Sequence, residues 1–180
     1  GEVLLWQGDL ASMRGDPQRA IDLVQAATAA HLSESDQAYA DALLADTTPA
    51  AIGHLRRTLE LNPFHHRASL YLSFLLLLSG EREECRQHLE VSQALFPADV
   101  NFVAASAVLD ALEGDLEAAR QRLGERKSEL GQAHDTLIST CEDLSRLAPL
   151  LTDWDEGQAL DLTVLRLIPW IVLRHQGRFD

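Results

Sequence analysis

The side chains that could bind a metal ion are few in this sequence, and they stand at unsuitable spacings. His65 and His66 are adjacent and follow Pro63, which raises the question of a metal site. Neighbouring residues on a helix point about 100° apart, so the two imidazoles cannot share one ion without ligands from elsewhere. We therefore predict no metal, and we expect the pair to cap the first turn of a helix or to line a groove.

The cysteines and the acidic clusters do not suggest catalysis either. Cys85 and Cys141 form no metal-ligand pattern or disulfide framework, which favours a reducing compartment and, by default, the cytoplasm. The acidic clusters have the positions of first helical turns or loops, where carboxylates stabilise helix starts; they are Glu81, Glu83 and Glu84, and Asp153, Asp155 and Glu156. The sequence contains no nucleophile elbow, phosphate loop, zinc motif or dinucleotide fingerprint. We predict that the chain is not an enzyme and holds no cofactor.

Composition narrows the classes of partner. The 180 residues are 46% hydrophobic, enough to bury a core, and 28 acidic residues against 15 basic ones give a net charge of -13. This charge repels a phosphate backbone and attracts a basic protein, so we expect no nucleic-acid partner. The most apolar run, Leu70 to Leu78, is interrupted by Ser73 and is far shorter than the roughly 20 residues of a membrane helix, so we expect no membrane insertion either.

A 34-residue period runs through the middle of the chain. Leu55, Leu89 and Leu123 are 34 residues apart, and the same interval separates Pro63 from Pro97 and Gly80 from Gly114. Self-similarity at such a period is typical of a solenoid, in which each unit stacks on its neighbours. The period therefore predicts a surface for binding rather than a pocket for chemistry.

Short segments of glycine followed by polar residues predict the turns between helices. Gly15, Gly80, Gly114 and Gly177 each precede charged or polar residues, which is typical of a helix end followed by a new helix start. At residues 46–49 we expect Thr48 to be the N-cap and Pro49 the first helical residue. The apolar spacing between turns predicts antiparallel helix pairs. The predicted helices span 2–14 and 17–31, 34–45 and 49–61, 65–79 and 81–95, and 98–113 and 115–127.

These features resemble the tetratricopeptide repeat family over roughly residues 3–127. The first unit carries the family's small and apolar packing positions at Gly8, Ala11, Gly15, Ala20, Val24 and Ala27, with Leu4 where tryptophan is common. The third unit matches best, at Leu72, Gly80, Leu89 and Pro97, although Cys85 replaces the usual alanine. The resemblance implies an all-α, right-handed superhelical array of antiparallel helix pairs, with four pairs in residues 1–127.

Residues 128–180 are less regular. Leu130, Leu137, Leu144 and Leu147 predict one amphipathic helix, and the stretch from Leu160 to Leu173 predicts another that Pro169 breaks or kinks. We interpret this region as irregular helices, or as degenerate repeats truncated at the end of a fragment of a longer protein.

The resemblance also implies where a partner binds, because the first helix of each pair lines the concave groove in this family. The predicted contact residues are Trp6, Arg67, Leu70, Tyr71, Phe74, Leu77, Asn101, Ala104, Ala105 and Val108. Some members capture a carboxylate with lysines and asparagines in this groove. Leu5, Asp9, Ala40 and Leu70 stand near those positions here, so we expect that clamp to be absent.

The stretch from Ala68 to Leu78 is apolar nearly all round, so both its faces must be covered. Flanking helices or the C-terminal segment cover it in one interpretation. In the other, a helix or extended segment of a partner, or a second copy of the chain, docks there.

The expected function is that of a protein-interaction scaffold within a larger cytoplasmic, bacterial protein. Phe74 and Tyr71 would be its anchors, because buried aromatic groups dominate binding energy. The alternative is a regulatory or sensing domain of a bacterial transcription regulator or kinase, which binds a small effector or a neighbouring domain. That alternative requires a closed apolar cavity with polar groups such as Arg67 and Asn101.

Overall fold

Every regular element in the described part of the chain is an α-helix. A computed structural model describes residues 1–151, apart from the side chains of residues 13 and 147–151, and it contains ten helices and no strand in that range. The all-α prediction is confirmed. The helices are α1 Glu2–Met13, α2 Pro17–Ala29, α3 Glu34–Leu43, α4 Thr48–Leu61, α5 His66–Ser79, α6 Arg82–Leu95, α7 Val100–Leu112, α8 Leu116–Glu125, α9 Lys127–Leu130 and α10 Ala133–Leu151.

The eight helices predicted up to residue 127 all form, and none of their ends differs from the prediction by more than two residues. The prediction of one helix through Leu130 and Leu137 is wrong. Leu130 ends α9, and Gly131 then takes a φ of 55°, a left-handed conformation that interrupts the helix before α10. The predictions at Trp154, Trp170 and Gly177, and the helix from Leu160 to Leu173, lie outside the described residues.

Three of the predicted glycine turns form as expected. Gly15, Gly80 and Gly114 have φ values of 77°, 72° and 87°, which L-residues adopt only with strain. After Gly15, the Asp16 N–H donates to the carbonyl of Ala11 at 3.0 Å, and the corresponding bonds follow the other two glycines. These bonds satisfy carbonyls at the ends of the helices and turn the chain back into the next helix.

Side-chain caps begin several of the helices. The caps that accept a backbone N–H are Asp16 on α2, Ser33 on α3, Thr47 on α4, Asp99 on α7 and Asp115 on α8. The prediction of Thr48 as the cap of α4 is wrong by one residue. Thr47 has the extended backbone conformation that a cap needs and accepts the Ala50 N–H at 3.4 Å, so Thr48 begins the helix and Pro49 follows it.

The chain divides into two compact units, Gly1–Leu75 and the part from Leu76 onward. In the first unit α1 packs against α2, α2 against α3, and α3 against α4. The core of these contacts is formed by small and branched side chains; it includes Leu5, Ala11, Val24, Ala27, Ala40, Ile52 and Leu55. The division of the chain into four repeat pairs over residues 1–127 and an irregular segment over 128–180 stays a prediction.

The second unit is organised around α7, all of whose residues are buried. This helix packs against α6, α8 and α10. The thiol of Cys141 on α10 donates to the Ala107 carbonyl at 3.7 Å, and these two residues are themselves 34 apart. This contact fastens α10 to α7.

A buried carboxylate also ties three helices of the second unit together. Asp110 on α7 accepts from Arg122 Nε on α8 at 2.9 Å, and Arg86 Nη1 on α6 lies 3.8 Å from it. Arg86 is also paired with Glu113. Since a buried charge without such partners would be costly, these arginines hold α6 and α8 against α7.

Candidate interaction face

Helices α1, α3 and α5 of the first unit are joined by one buried carboxylate. Asp9 on α1 is only 8% exposed, and its Oδ1 accepts from the Tyr39 hydroxyl on α3 at 3.0 Å. Its Oδ2 accepts from Arg67 Nη1 on α5 at 2.6 Å. One side chain of α1 is thus bonded to both α3 and α5, although the three residues lie far apart in the sequence.

Burial controls the ionisation of this cluster. It raises the pKa of Asp9 above its ordinary value, and the positive charge of Arg67 and the hydrogen bond from Tyr39 offset only part of that effect. Burial, together with the neighbouring Asp9 carboxylate, raises the pKa of Tyr39 well above the usual value for tyrosine. The Tyr39 hydroxyl therefore keeps its proton and remains a hydrogen-bond donor.

Arg67 joins this buried cluster to the surface. Its guanidinium carbon lies 4.8 Å from the centre of the Trp6 ring, while its Nη1 is held by Asp9. The Arg67 side chain is 29% exposed and Trp6 is 65% exposed. A cation over an indole face contributes about 0.5–1 kcal/mol at an exposed site, so the pair favours one placement of the solvent-facing indole over others.

His65 forms a second polar link in the same unit. Its Nδ1 accepts the Ala68 backbone N–H at 3.1 Å, so its Nε2 is the nitrogen that donates to Asp36 Oδ1 at 3.2 Å. The ring also packs on Tyr39, with their centroids 4.7 Å apart. The prediction that this histidine caps the first helical turn is confirmed. Within residues 1–151, no group of three or more histidine, cysteine or acidic side chains could hold a metal ion.

One stripe of α5 continues from Arg67 along the helix. Leu70, Tyr71 and Phe74 follow at the spacing that places side chains on one face, and all three are partly exposed. The intervening residues Ala68, Ser69, Leu72 and Ser73 are buried, and so is Leu75, which follows the stripe. Of the predicted contact residues, the structure therefore leaves Trp6, Arg67, Leu70, Tyr71 and Phe74 accessible. We refer to these five as the Trp6–Phe74 face.

The other predicted contact residues are buried. Leu77, Ala104, Ala105 and Val108 are at most 4% exposed, and Asn101 is 8% exposed. Asn101 Nδ2 donates to Asp99 Oδ1 at 2.7 Å, while its Oδ1 is buried without a hydrogen-bond partner. Because a partner approaching from solvent cannot reach these side chains as they stand, the Trp6–Phe74 face is defined without them.

Two residues that support the face have roles that sequence reasoning missed. The role of Asp9 could have been suspected from the sequence, because this acidic residue lies one helical turn after Trp6 in a segment that is otherwise largely apolar. The role of Tyr39 could not, because no nearby residue in the sequence relates it to Asp9. Both depend on contacts between helices that are separate in the chain.

Neither cysteine has the surroundings of a reactive thiol. Burial raises the pKa of Cys85 to about 12, and it does the same for Cys141. Since only the thiolate is nucleophilic, both act as small apolar groups in the core. This agrees with the assignment of Cys85 to a position in the 34-residue register that requires a small residue.

The first unit also contains a cleft of about 660 Å³. Its lining mixes both signs of charge with apolar groups; it consists of Thr28, Ala29, His31, Leu32, Glu34, Gln37, Ala38, Asp41, His54, Arg57 and Leu61. Neither Arg67 nor Asn101 lines it. The cleft is therefore not the apolar cavity that the small-effector alternative requires.

No family model, curated protein or solved structure matches the chain. The described residues define an all-α protein in which buried Asp9 forms an ion pair with part-exposed Arg67 beside an exposed indole. No helix within residues 1–151 is long and apolar enough to cross a membrane.

Proposed function

We propose that this chain is a protein-interaction module whose Trp6–Phe74 face binds the apolar side of an amphipathic helix from a partner protein. The observation that carries the proposal is the exposed Trp6 ring, which is held in place by a guanidinium that is itself held by a buried carboxylate. An exposed indole without such support would sample many rotamers.

Preorganisation is the physical reason for this choice. Ordering a side chain on binding costs about 0.5–1.5 kcal/mol, and a side chain that is already in place avoids most of that cost. Tryptophan, tyrosine and arginine are also the residues that most often dominate binding energy at an interface. The Trp6–Phe74 face contains one of each.

The α5 stripe supports a helical ligand. The residues that follow Arg67 at i+3, i+4 and i+7 are apolar or aromatic, and such a ridge packs into the groove on the apolar side of another helix. Trp6 on α1 adds a large contact beside it. Tyr71 and Phe74 keep the anchoring role expected from the sequence, and Trp6, the most exposed aromatic of the face, joins them.

The wider setting is part of the same proposal. The 34-residue spacing and the helix pairs support a tetratricopeptide-like, right-handed superhelical array. We place that array in a larger cytoplasmic protein of a bacterium, without catalytic activity. A second copy of the chain is a further candidate partner.

The test is a binding titration with a fluorescent amphipathic peptide of leucine and lysine, followed by anisotropy. Trp6→Ala should weaken binding by about tenfold or more, because an interface anchor contributes about 2 kcal/mol or more. The substitution removes a mostly exposed side chain, so the circular dichroism spectrum should not change.

Phe64→Ala is the matched control. Phe64 is also an exposed aromatic residue of the first unit, at 68% exposure, but it precedes α5 and lies outside the Trp6–Phe74 face. We expect it to leave the affinity unchanged. Equal losses in the two variants, or no binding by the unmodified chain, would overturn the proposal.

The regulatory alternative remains a prediction. A small effector bound in the cleft between Thr28 and Leu61 would meet a lining that differs from the apolar cavity that this alternative requires. A ligand screen by thermal shift, repeated on an Arg57→Ala variant, tests that use directly.

A further inference from the structure

The positive charge of the Trp6–Phe74 face comes from one residue. Along α1, α3 and α5 the sequence places Arg67 as the only arginine or lysine. The same helices carry five carboxylates, which are Glu2, Asp9, Glu34, Asp36 and Asp41. The first unit, Gly1–Leu75, contains nine acidic residues and five arginines, so the formal charge of these side chains is -4.

The positive charge of Arg67 is neutralised by Asp9, a residue of the same unit. The distance of 2.6 Å between Arg67 Nη1 and Asp9 Oδ2 places the opposite charges in direct contact. An approaching ligand therefore meets a dipole rather than a free positive charge, and the surrounding carboxylates set the sign of the field. An acidic ligand has no unpaired cation to bind on this face.

We propose that Asp9 is a specificity-determining residue, which pairs with Arg67 and so makes the Trp6–Phe74 face select a basic, apolar segment over an acidic one. This inference rests on the proposed interaction function. Asp9 is nearly buried, so it acts through Arg67 rather than by touching the partner. It fixes the guanidinium over Trp6 and cancels its charge at the same time.

Removing the Asp9 charge should therefore reverse the preference. In the Asp9→Asn variant the amide oxygen still accepts a hydrogen bond from Arg67, so the guanidinium stays over Trp6, but its charge is no longer balanced. A carboxylate of an acidic peptide can then bind it with charge-assisted hydrogen bonds. A basic peptide meets repulsion at the same point. Neutralising this one carboxylate should thus change the preference of the face from basic to acidic peptides.

The experiment compares two amphipathic peptides with the same leucine positions, one with lysine and one with glutamate as the charged residue. The unmodified chain should bind the lysine peptide more tightly. In Asp9→Asn the ratio of the two affinities should shift by about tenfold towards the glutamate peptide, a change expected when a neighbouring charge is left unpaired. Added salt should reduce the shift, because screening weakens contacts between exposed charges.

Tyr39→Phe is the control for a merely structural role. It removes the other hydrogen bond to Asp9 but keeps the ion pair with Arg67, so at a pH well above the pKa of Asp9 it should leave the affinity ratio unchanged. An equal shift in both variants, or none in Asp9→Asn, would overturn the specificity role while leaving the interaction proposal intact. Failure of both peptides to bind would instead remove the proposed function.

A measurement on the unmodified protein covers the case in which Asp9→Asn fails to fold. In a two-dimensional NMR spectrum, the indole N–H of Trp6 is assigned by its loss in Trp6→Phe. The lysine peptide should move this signal at concentrations at which the glutamate peptide does not. Equal movement by both peptides would contradict the inference.

Discussion

Gly8 and Val24 pack so closely that a Cβ added to Gly8 would lie 2.8 Å from Val24 Cγ2. It would also lie 3.3 Å from the carbonyl oxygen of Ala20. Val24 is buried and β-branched, so it cannot rotate away easily. This contact sets how near α1 and α2 approach each other.

The Gly8→Ala variant should therefore be less stable. The added methyl group overpacks the contact at a cost of about 1–3 kcal/mol, which outweighs the gain of up to about 1 kcal/mol from alanine's better helix propensity. The midpoint of urea unfolding, followed by circular dichroism, should move to lower denaturant concentration.

Gly53→Ala is the matched control for this substitution. Gly53 lies inside α4, and nothing stands within 4 Å of the place its Cβ would take. Since alanine favours a helix over glycine by about 1 kcal/mol, this variant should be more stable than the unmodified chain. A loss of stability in both variants would contradict the packing explanation.

The caps of α4 give a second paired prediction. Thr47→Ala removes the hydroxyl that accepts the Ala50 N–H, and we expect a loss of about 0.5–1 kcal/mol in the free energy of unfolding. Thr48→Ala changes a residue inside the helix and should be neutral or slightly stabilising. Thermal unfolding of the two variants would distinguish these positions, and the reverse order would show that Thr48 is the cap.

The ionisation of Asp9 predicts a pH dependence. The pKa of Asp9 is higher in the folded than in the unfolded chain. Above the ordinary value of 3.8, the folded state therefore keeps a proton on Asp9 that the unfolded state has lost. The unmodified chain should therefore lose stability relative to Asp9→Asn across that window, up to the raised pKa. Urea unfolding of both proteins over a pH series measures the difference, and a gain in the same window would contradict the assignment.

The two cysteines should be unreactive in the folded protein. With the pKa of each at about 12, almost no thiolate is present at mildly alkaline pH, and both side chains are buried. A maleimide reagent should label them only after denaturant is added. A Cys85→Ala variant assigns the signals, and rapid labelling of either cysteine without denaturant would refute the prediction.

Local sequence was sufficient to predict the helices because their ends depend on neighbouring residues. Glycine at Gly15 and Gly114 takes a conformation that other residues avoid, and the aspartates that follow them cap the next helix. The misplaced cap at Thr48 shows the limit of this reasoning. Two adjacent threonines are chemically equal in the sequence, and only the backbone conformation distinguishes them.

The candidate face was predicted only in part. The helical spacing predicted that Arg67, Leu70 and Phe74 share one face of α5, and all three are partly exposed there, because that spacing is a property of one helix. The same reasoning also selected Ala104 and Val108, which are buried. Periodicity identifies the residues that share a face but does not reveal what packs against it.

By itself, then, the sequence determined the all-α fold, the positions of the turns and the size of the residues that pack between helices, since each follows from local backbone preference and apolar spacing. Only the tertiary structure decided that Asp9, Tyr39 and Arg67 meet and that Arg67 lies over Trp6. These contacts join residues up to 61 positions apart, as in the pair of Trp6 and Arg67. Their energies depend on burial and distance, which arise only when the helices have packed.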